Sequence, residues 1–133
     1  MRPPEMPKKK ILRSAQAPAP VASYSQAVRA GKFVFCSGQI PLDPRTHELV
    51  AGDIGEQTRR VLDNLGAVLA EAGLGYEDVV KCTVFLADLG DFKDFDAAYA
   101  HYFGASPPAR STVGVAALPR GARVEIEAIA LMR

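Results

Sequence analysis

The chain has 133 residues, enough for a single domain with a substantial hydrophobic core. Its formal net charge is only +1, which argues against a nucleic-acid-binding protein because such proteins usually carry a clear basic excess. No apolar run is long enough to span a membrane, and no apolar signal segment follows the basic N-terminus, so we expect a cytoplasmic protein that does not contact membranes.

The two cysteines and two histidines do not form a metal-binding pattern. Cys36 and Cys82 each lie in an apolar, strand-like run, which is typical of buried thiols in an intracellular protein rather than of a disulfide framework. His47 and His101 stand alone in the sequence. We therefore expect neither a metal site nor a disulfide.

The N-terminal part of the chain predicts little regular structure. Residues 1–10 contain three prolines and a run of three lysines, which indicates a flexible tail preceding a single domain at 11–133. Residues 11–14 are compatible with a short first strand. Residues 15–23 are rich in Ala and Pro and predict extended, irregular backbone. This segment leads to Tyr24, whose phenolic hydroxyl needs a polar partner.

A β-hairpin is predicted next, with strands at 25–30 and 32–37 around an Ala-Gly turn. The second strand ends in Ser37 and Gly38. A glycine at that point lets the backbone N–H groups approach a ligand closely, because it has no side chain. The commoner explanation for such a glycine is a bulge or a turn. Residues 41–52 then form a predicted loop.

Two helices are predicted from capping residues and apolar spacing. The first begins after Asp53, a good N-cap with Glu56 three residues later, and ends before Gly73. The second is capped by Asp91 and runs to about Phe103. The inward-facing residues of the two helices are predicted to be Ile54, Val61, Leu62, Leu65, Val68, Leu69, Ala72, Phe92, Phe95, Tyr99, Tyr102 and Phe103.

Asp96 and His101 fall outside the apolar stripe of the second helix. From the pattern alone, each is predicted to be solvated or to lie at an interface rather than to act in catalysis.

The order of strands and helices predicts an α+β fold. Strands are expected at 79–86 and 123–131, and the whole chain gives a mixed six-stranded sheet with two α-helices on one face. The other face would expose Ile129, Leu131 and small Ala and Gly residues. An open apolar face of this kind is usually buried by association, so we expect a closed ring of identical subunits.

The segment 107–128 carries the two residues that best suggest chemistry. Arg110 follows two prolines, which predict an irregular segment just before it, and its planar guanidinium matches a carboxylate with two parallel hydrogen bonds. Glu125 lies near the start of the last strand and can accept a proton or hold a water molecule. Together they would suffice to hydrolyse a small acidic substrate. The alternatives are an edge-strand ion pair or two solvated charges.

A hairpin across this segment would separate the two residues. With a turn at 118–121, Glu125 would face Ala116, and Arg110 would share its side of the sheet. Arg110 would lie six residues beyond Ala116, which is roughly 20 Å at ~3.3 Å per residue. We therefore expect that, if they act together, they come from different chains at a subunit interface.

Five segments of the sequence resemble the RidA/YjgF family, the reactive-intermediate deaminases. They occur in the family's order, and the resemblance as a whole runs from about residue 11 to the C-terminus. The segments are SGQIPLDPRTHELV, GDIGEQTRRVLDNLGAVLAEAG, VVKCTVFLADLGDF, PPARSTVGVAALP and VEIEAIA.

The resemblance implies a chorismate-mutase-like fold and a homotrimer whose sheets form a central barrel with clefts between subunits. It also implies hydrolysis of 2-imino acids to 2-oxo acids and ammonia, without a metal or organic cofactor. The resemblance assigns Arg110 to the substrate carboxylate and Glu125 to the attacking water. It places Tyr24, Ser37 and Gly38 along the cleft.

Three positions depart from the family's usual residues. Thr112 stands where Cys is frequent, so no thiol is expected to contribute there, but the backbone N–H is retained. Asp96 stands where Asn is frequent, and its charge would disfavour an anionic ligand unless it is paired or points away. Ser23 precedes Tyr24 where Pro or Gly is common.

Two other functions are compatible with the resemblance. One is an endoribonuclease or translation inhibitor, which would need a basic groove. The basic residues are limited to residues 8–10, Arg59, Arg60 and scattered arginines. The other is a chaperone-like binding protein without catalytic activity.

Overall fold

A six-stranded mixed sheet forms one layer of the molecule, which we describe from a computed structural model for residues 8–133. Most of the predicted N-terminal tail, residues 1–7, lies outside the described part of the chain. The strand order is β1-β2-β3-β6-β4-β5, and only the β4–β5 pair is parallel. The strands are β1 (Lys10–Leu12), β2 (Ala27–Ala30), β3 (Phe33–Gln39), β4 (Val79–Leu86), β5 (Ala109–Gly114) and β6 (Val124–Leu131).

Two helices form the second layer, as the capping pattern predicts. Helix α1 (Ile54–Glu71) begins at Asp53, whose carboxylate accepts a hydrogen bond from the Glu56 N–H at 2.9 Å. Helix α2 (Phe92–Phe103) follows β4. Asp91 occupies the predicted N-cap position of α2, but its side chain makes no bond to the helix and instead accepts a hydrogen bond from Arg123 at 2.9 Å.

The hydrophobic core lies between the helices and one face of the sheet, so the predicted fold class is confirmed. The opposite face is uncovered in the single chain, and Phe33, Phe35, Val113 and Leu131 are between 41% and 46% exposed there. Association through this face remains a prediction.

The predicted hairpin between the last two strands is wrong. β6 lies between β3 and β4, whereas β5 pairs with β4 at the edge of the sheet, so Glu125 faces Phe85 and not Ala116. Every second residue of β6 is buried, namely Val124, Ile126, Ala128 and Ala130. An apolar series of this length removes more surface from water in the centre of a sheet than at an edge. This favours the central position of β6, between β3 and β4, over pairing with β5 at the edge.

Arg110 and Glu125 consequently lie on opposite faces of the sheet, and the prediction of a common face is wrong. Arg110 pairs in register with Cys82, which is buried on the helix side and also pairs with Ala128. Glu125 pairs with Phe85, an odd number of residues from Cys82, and therefore points to the open face. One chain cannot bring the two side chains together.

A buried glutamine fixes the irregular segment that precedes β2. Gln26 is 1% exposed, and its side-chain oxygen accepts a hydrogen bond from the Ser14 N–H at 2.6 Å. Its amide nitrogen donates to the carbonyls of Ser14 at 3.2 Å and Pro18 at 2.9 Å. Buried backbone groups without hydrogen-bond partners are costly. The Gln26 side chain supplies the hydrogen bonds that a neighbouring strand would otherwise provide to this segment.

We expect Gln26→Ala to lower the free energy of unfolding by roughly 2–4 kcal/mol, since it leaves buried backbone groups of Ser14 and Pro18 without partners. Urea denaturation measures the loss, and amide exchange at Ser14 should accelerate. Gln16→Ala is the control, because Gln16 is exposed and its removal should change the value by less than about 0.5 kcal/mol. Equal effects of the two substitutions would contradict this account.

Candidate functional site

Arg110 forms one end of the candidate site, at the edge of the sheet. It lies on β5, and one of its terminal nitrogens donates to Oδ1 of Asp96 on α2 at 2.7 Å. The side chains are 21% and 46% exposed, respectively. The charge of Asp96, expected to disfavour an anionic ligand unless paired, is therefore paired with Arg110.

Three aromatic rings of α2 hold the guanidinium in place. Its central carbon lies 5.4, 5.5 and 4.7 Å from the ring centroids of Phe92, Phe95 and Tyr99. Such contacts between a cation and ring faces are attractive. Sequence reasoning assigned all three rings to the core, but Phe92 is 39% exposed. The signal was available, because residues spaced by three and four on a helix share one side.

Two buried hydroxyls near Arg110 have no hydrogen-bond partner among the described residues. One belongs to Tyr99, whose side chain is 3% exposed, and the other to Thr112, two residues after Arg110 on the same side of β5. Burial raises the pKa of Tyr99, and so do the charge of Cys82 and a side-chain contact with it, whereas the charge of Arg110 and a side-chain contact with it oppose the shift. Orphaned buried hydroxyls are uncommon and suit a site that accepts another molecule.

Glu125 forms the second end, next to a bulge in β3. The register of β3 against β6 shifts between Cys36 and Gln39, and the bulge brings Gly38 against the Glu125 side chain. A Cβ at Gly38 would lie 2.9 Å from Cδ of Glu125, so only glycine fits without displacement. Burial raises the pKa of Glu125, and the negative charge of Glu127 raises it further.

The hydroxyl of Ser37, predicted to line the cleft, has a structural role. It donates to the carbonyl of Ser25 at 2.6 Å and ties the bulge to the segment before β2. Its backbone lies next to Gly38, but the side chain is engaged.

A cavity of about 400 Å³ surrounds Glu125. Tyr24 and Gly38, two of the predicted site residues, line it, and so do Arg120 and His47, which were not among them. Arg120 donates a hydrogen bond to the backbone carbonyl of His47. Both have positive φ, 57° and 61°, and among residues 8–133 no other non-glycine residue does. The Leu-Pro-Arg-Gly turn was a usable signal, since strained backbone often marks functional sites.

The predicted site residues thus form two separate groups. Arg110, Asp96 and Thr112 lie between β5 and α2, whereas Tyr24, Ser37, Gly38 and Glu125 lie around the β3 bulge. Strand β4 and the two faces of the sheet separate the groups within one chain.

Within residues 8–133, no three His, Cys, Asp or Glu side chains are close enough together to hold a metal ion. None of the helices in this range is both long and apolar enough to cross a membrane.

Comparisons with known proteins agree with this fold and these motifs. The family model of endoribonuclease L-PSP matches residues 14–132. Protein DfrA of Myxococcus xanthus is 56% identical over 92% of this chain and 95% of its own length. The 2-iminobutanoate/2-iminopropanoate deaminase of Mus musculus is 47% identical over 92% and 91% of the two chains.

Solved structures agree as well. The E. coli TdcF structure with bound serine superposes with a TM-score of 0.89 and 42% identity, covering 93% of this chain and 99% of that one. At these levels of identity and coverage, the chain belongs to the RidA/YjgF family.

Proposed function

We propose that this protein is a cofactor-independent deaminase that hydrolyses 2-imino acids to 2-oxo acids and ammonia, acting as a homotrimer in the cytoplasm. The observation that carries the proposal is the placement of Arg110. Its guanidinium rests against three rings and is bonded to Asp96 through one terminal nitrogen. Within residues 8–133, Nε and the other terminal nitrogen donate to no carboxylate or carbonyl, which leaves donors for a ligand carboxylate.

The names of relatives support this class of substrate. The mouse relative is a deaminase of small 2-imino acids, and the TdcF structure contains serine, a small molecule with a carboxylate and a nitrogen on the same carbon. A 2-imino acid is intrinsically reactive toward water. An enzyme therefore needs positioning more than a strong nucleophile.

In the proposed reaction, Arg110 holds the substrate carboxylate and fixes the position of the C=N carbon. Glu125 holds a water molecule and takes a proton from it as the oxygen bonds to that carbon and the π electrons move to nitrogen. The proton then passes to the nitrogen, giving a carbinolamine that carries a hydroxyl and an amino group on one carbon. Transfer of the hydroxyl proton to the nitrogen, again through Glu125, lets the C–N bond break with release of ammonia as the C=O bond of the 2-oxo acid forms. Its raised pKa suits Glu125 to carry this proton.

The reaction requires two chains. Arg110 and Glu125 lie on opposite faces of the sheet with β4 between them, so Arg110 of one copy must meet Glu125 of another. The uncovered apolar face offers a surface for this association. In the proposed trimer, each cleft contains the Arg110 group of one subunit and the Glu125 group of the next.

We expect Arg110→Ala and Arg110→Lys each to reduce imine hydrolysis by about a hundredfold or more. Charged hydrogen bonds contribute ~1.5–3 kcal/mol each, and an ammonium group cannot replace the planar guanidinium. The assay generates the imine in situ and measures the fraction that semicarbazide traps before hydrolysis.

Arg133→Ala serves as a matched control, because Arg133 is also paired with carboxylates, those of Glu77 and Asp78, away from the proposed cleft. It should retain normal activity. Near-normal turnover by either Arg110 variant would refute the assignment of the anchor.

The pH dependence should report the ionisation of Glu125. Its carboxylate must be charged to accept a proton from water, so activity should fall as the pH drops through its raised pKa, at a higher pH than an ordinary glutamate would give. Glu127→Gln removes one cause of the shift, so the acidic limb should move to lower pH. Glu71→Gln, an exposed change at the end of α1, should leave the profile unchanged. A profile insensitive to Glu127 would contradict this role.

A ribonuclease is the second candidate, since the matching family model is named for endoribonuclease L-PSP. Lys8, Lys10 and Arg29 line a cavity at the β1–β2 edge, where a phosphate group would meet three positive charges. RNA binding there should weaken steeply with salt and be reduced by Lys10→Ala with Arg29→Ala. The near-neutral charge favours imine hydrolysis, and RNA cleavage that depends on this basic group but not on Arg110 would reverse that preference.

A further inference from the structure

We infer that Asp96 makes the Arg110 site selective for zwitterions, so that the cleft binds a ligand with a carboxylate and a protonated nitrogen on one carbon in preference to a simple carboxylate. The inference rests on the proposed function in one respect, that Arg110 receives the ligand carboxylate. It adds a substrate class, 2-amino acids and protonated 2-imino acids, and gives Asp96 the role of binding their nitrogen.

The geometry of the ion pair supports this assignment. Arg110 contacts Asp96 through one nitrogen and one oxygen, at 2.7 Å, and Oδ2 of Asp96 has no hydrogen bond within residues 8–133. The Asp96 side chain is also the more exposed of the two, at 46%. Two unlike charges therefore lie side by side with unused donors and acceptors, which is the complement of a carboxylate beside a cationic nitrogen.

The orphaned hydroxyls provide an independent observation that a polar ligand belongs here. Tyr99 is 3% exposed, lies under the guanidinium and has an unpartnered hydroxyl. Thr112 adds a second buried hydroxyl without a partner on the same side of β5. Buried polar atoms are normally satisfied, but the Thr112 hydroxyl has no partner within residues 8–133, and the Tyr99 hydroxyl contacts Cys82 and Arg110 without ordinary hydrogen-bond geometry.

The charge of Asp96 distinguishes substrate from product. A 2-oxo acid brings only a negative charge, which the adjacent carboxylate repels, whereas a protonated imine brings a positive nitrogen that the same carboxylate attracts. Protonation also makes the imine carbon more electrophilic, so the form that Asp96 favours is the form that water attacks more readily. After hydrolysis, the 2-oxo acid has lost the nitrogen that Asp96 holds, and its release is favoured.

The test compares two small ligands in equilibrium binding, by isothermal titration at neutral pH. L-serine carries both charges, whereas 2-oxobutanoate carries only the negative one. Asp96→Asn removes the charge but keeps an oxygen that can accept from Arg110. We expect it to weaken serine binding by about tenfold and to tighten 2-oxobutanoate binding severalfold.

Two further variants separate charge from shape. Asp94→Asn removes an exposed aspartate from the same helix and should leave both affinities unchanged. Asp96→Glu keeps the charge and should retain the preference for serine. A purely structural role for Asp96 would instead shift both ligands in the same direction.

The outcomes are distinguishable from a failure of the proposed function. If the two affinities move in opposite directions in Asp96→Asn but the wild type does not hydrolyse imines, the selectivity stands and the deaminase proposal falls. If the wild type hydrolyses imines and the ratio of affinities is unchanged in Asp96→Asn, the selectivity is refuted alone. Failure of the wild type to bind either ligand would also refute it.

Discussion

The attachment of Arg110 to helix α2 is the interaction on which the candidate site depends. An arginine on an edge strand would normally extend into solvent, where its many rotamers would make it a poor anchor. Here the ion pair with Asp96 and the rings of Phe92, Phe95 and Tyr99 restrict it, so its remaining donors keep one direction. Ordering the guanidinium before a ligand arrives reduces the entropy lost on binding.

The contact between Arg110 and α2 depends on the order of the strands in the sheet. β6 lies between β3 and β4 in the sheet, with its buried residues in the core on the helix side, and β5 is left at the edge beside α2. The same arrangement turns Glu125 to the opposite face, against the bulge at Gly38. The burial of apolar surface in β6 thus places Arg110 and Glu125 on opposite faces of the sheet, where they cannot meet within one chain.

The sequence predicted the local elements well and their neighbours less well. Caps such as Asp53 and the helical spacing of apolar residues identify α1 and α2, because these signals act within a few residues. Strand neighbours depend on burial summed over the whole chain, so the short Pro-Arg-Gly turn suggested a hairpin that the sheet does not contain. Likewise, nothing near Asp96 in sequence reveals Arg110, which lies fourteen residues away and pairs with it only after β5 docks beside α2.

The two ends of the site also differ in electrostatic character. This difference suits the proposed roles, in which Arg110 binds the ligand carboxylate and Glu125 transfers a proton. At the Arg110 end, the charges of Arg110 and Asp96 nearly cancel, and aromatic rings hold the guanidinium. This end is suited to binding and not to proton transfer, because an arginine does not lose its proton in proteins. The Glu125 end has a carboxyl group whose pKa is raised by burial and by Glu127, which favours proton exchange. Keeping them on separate faces prevents Glu125 from neutralising Arg110 within one chain. Only assembly would bring the base to the anchored ligand, and activity would then depend on the oligomer as much as on either residue.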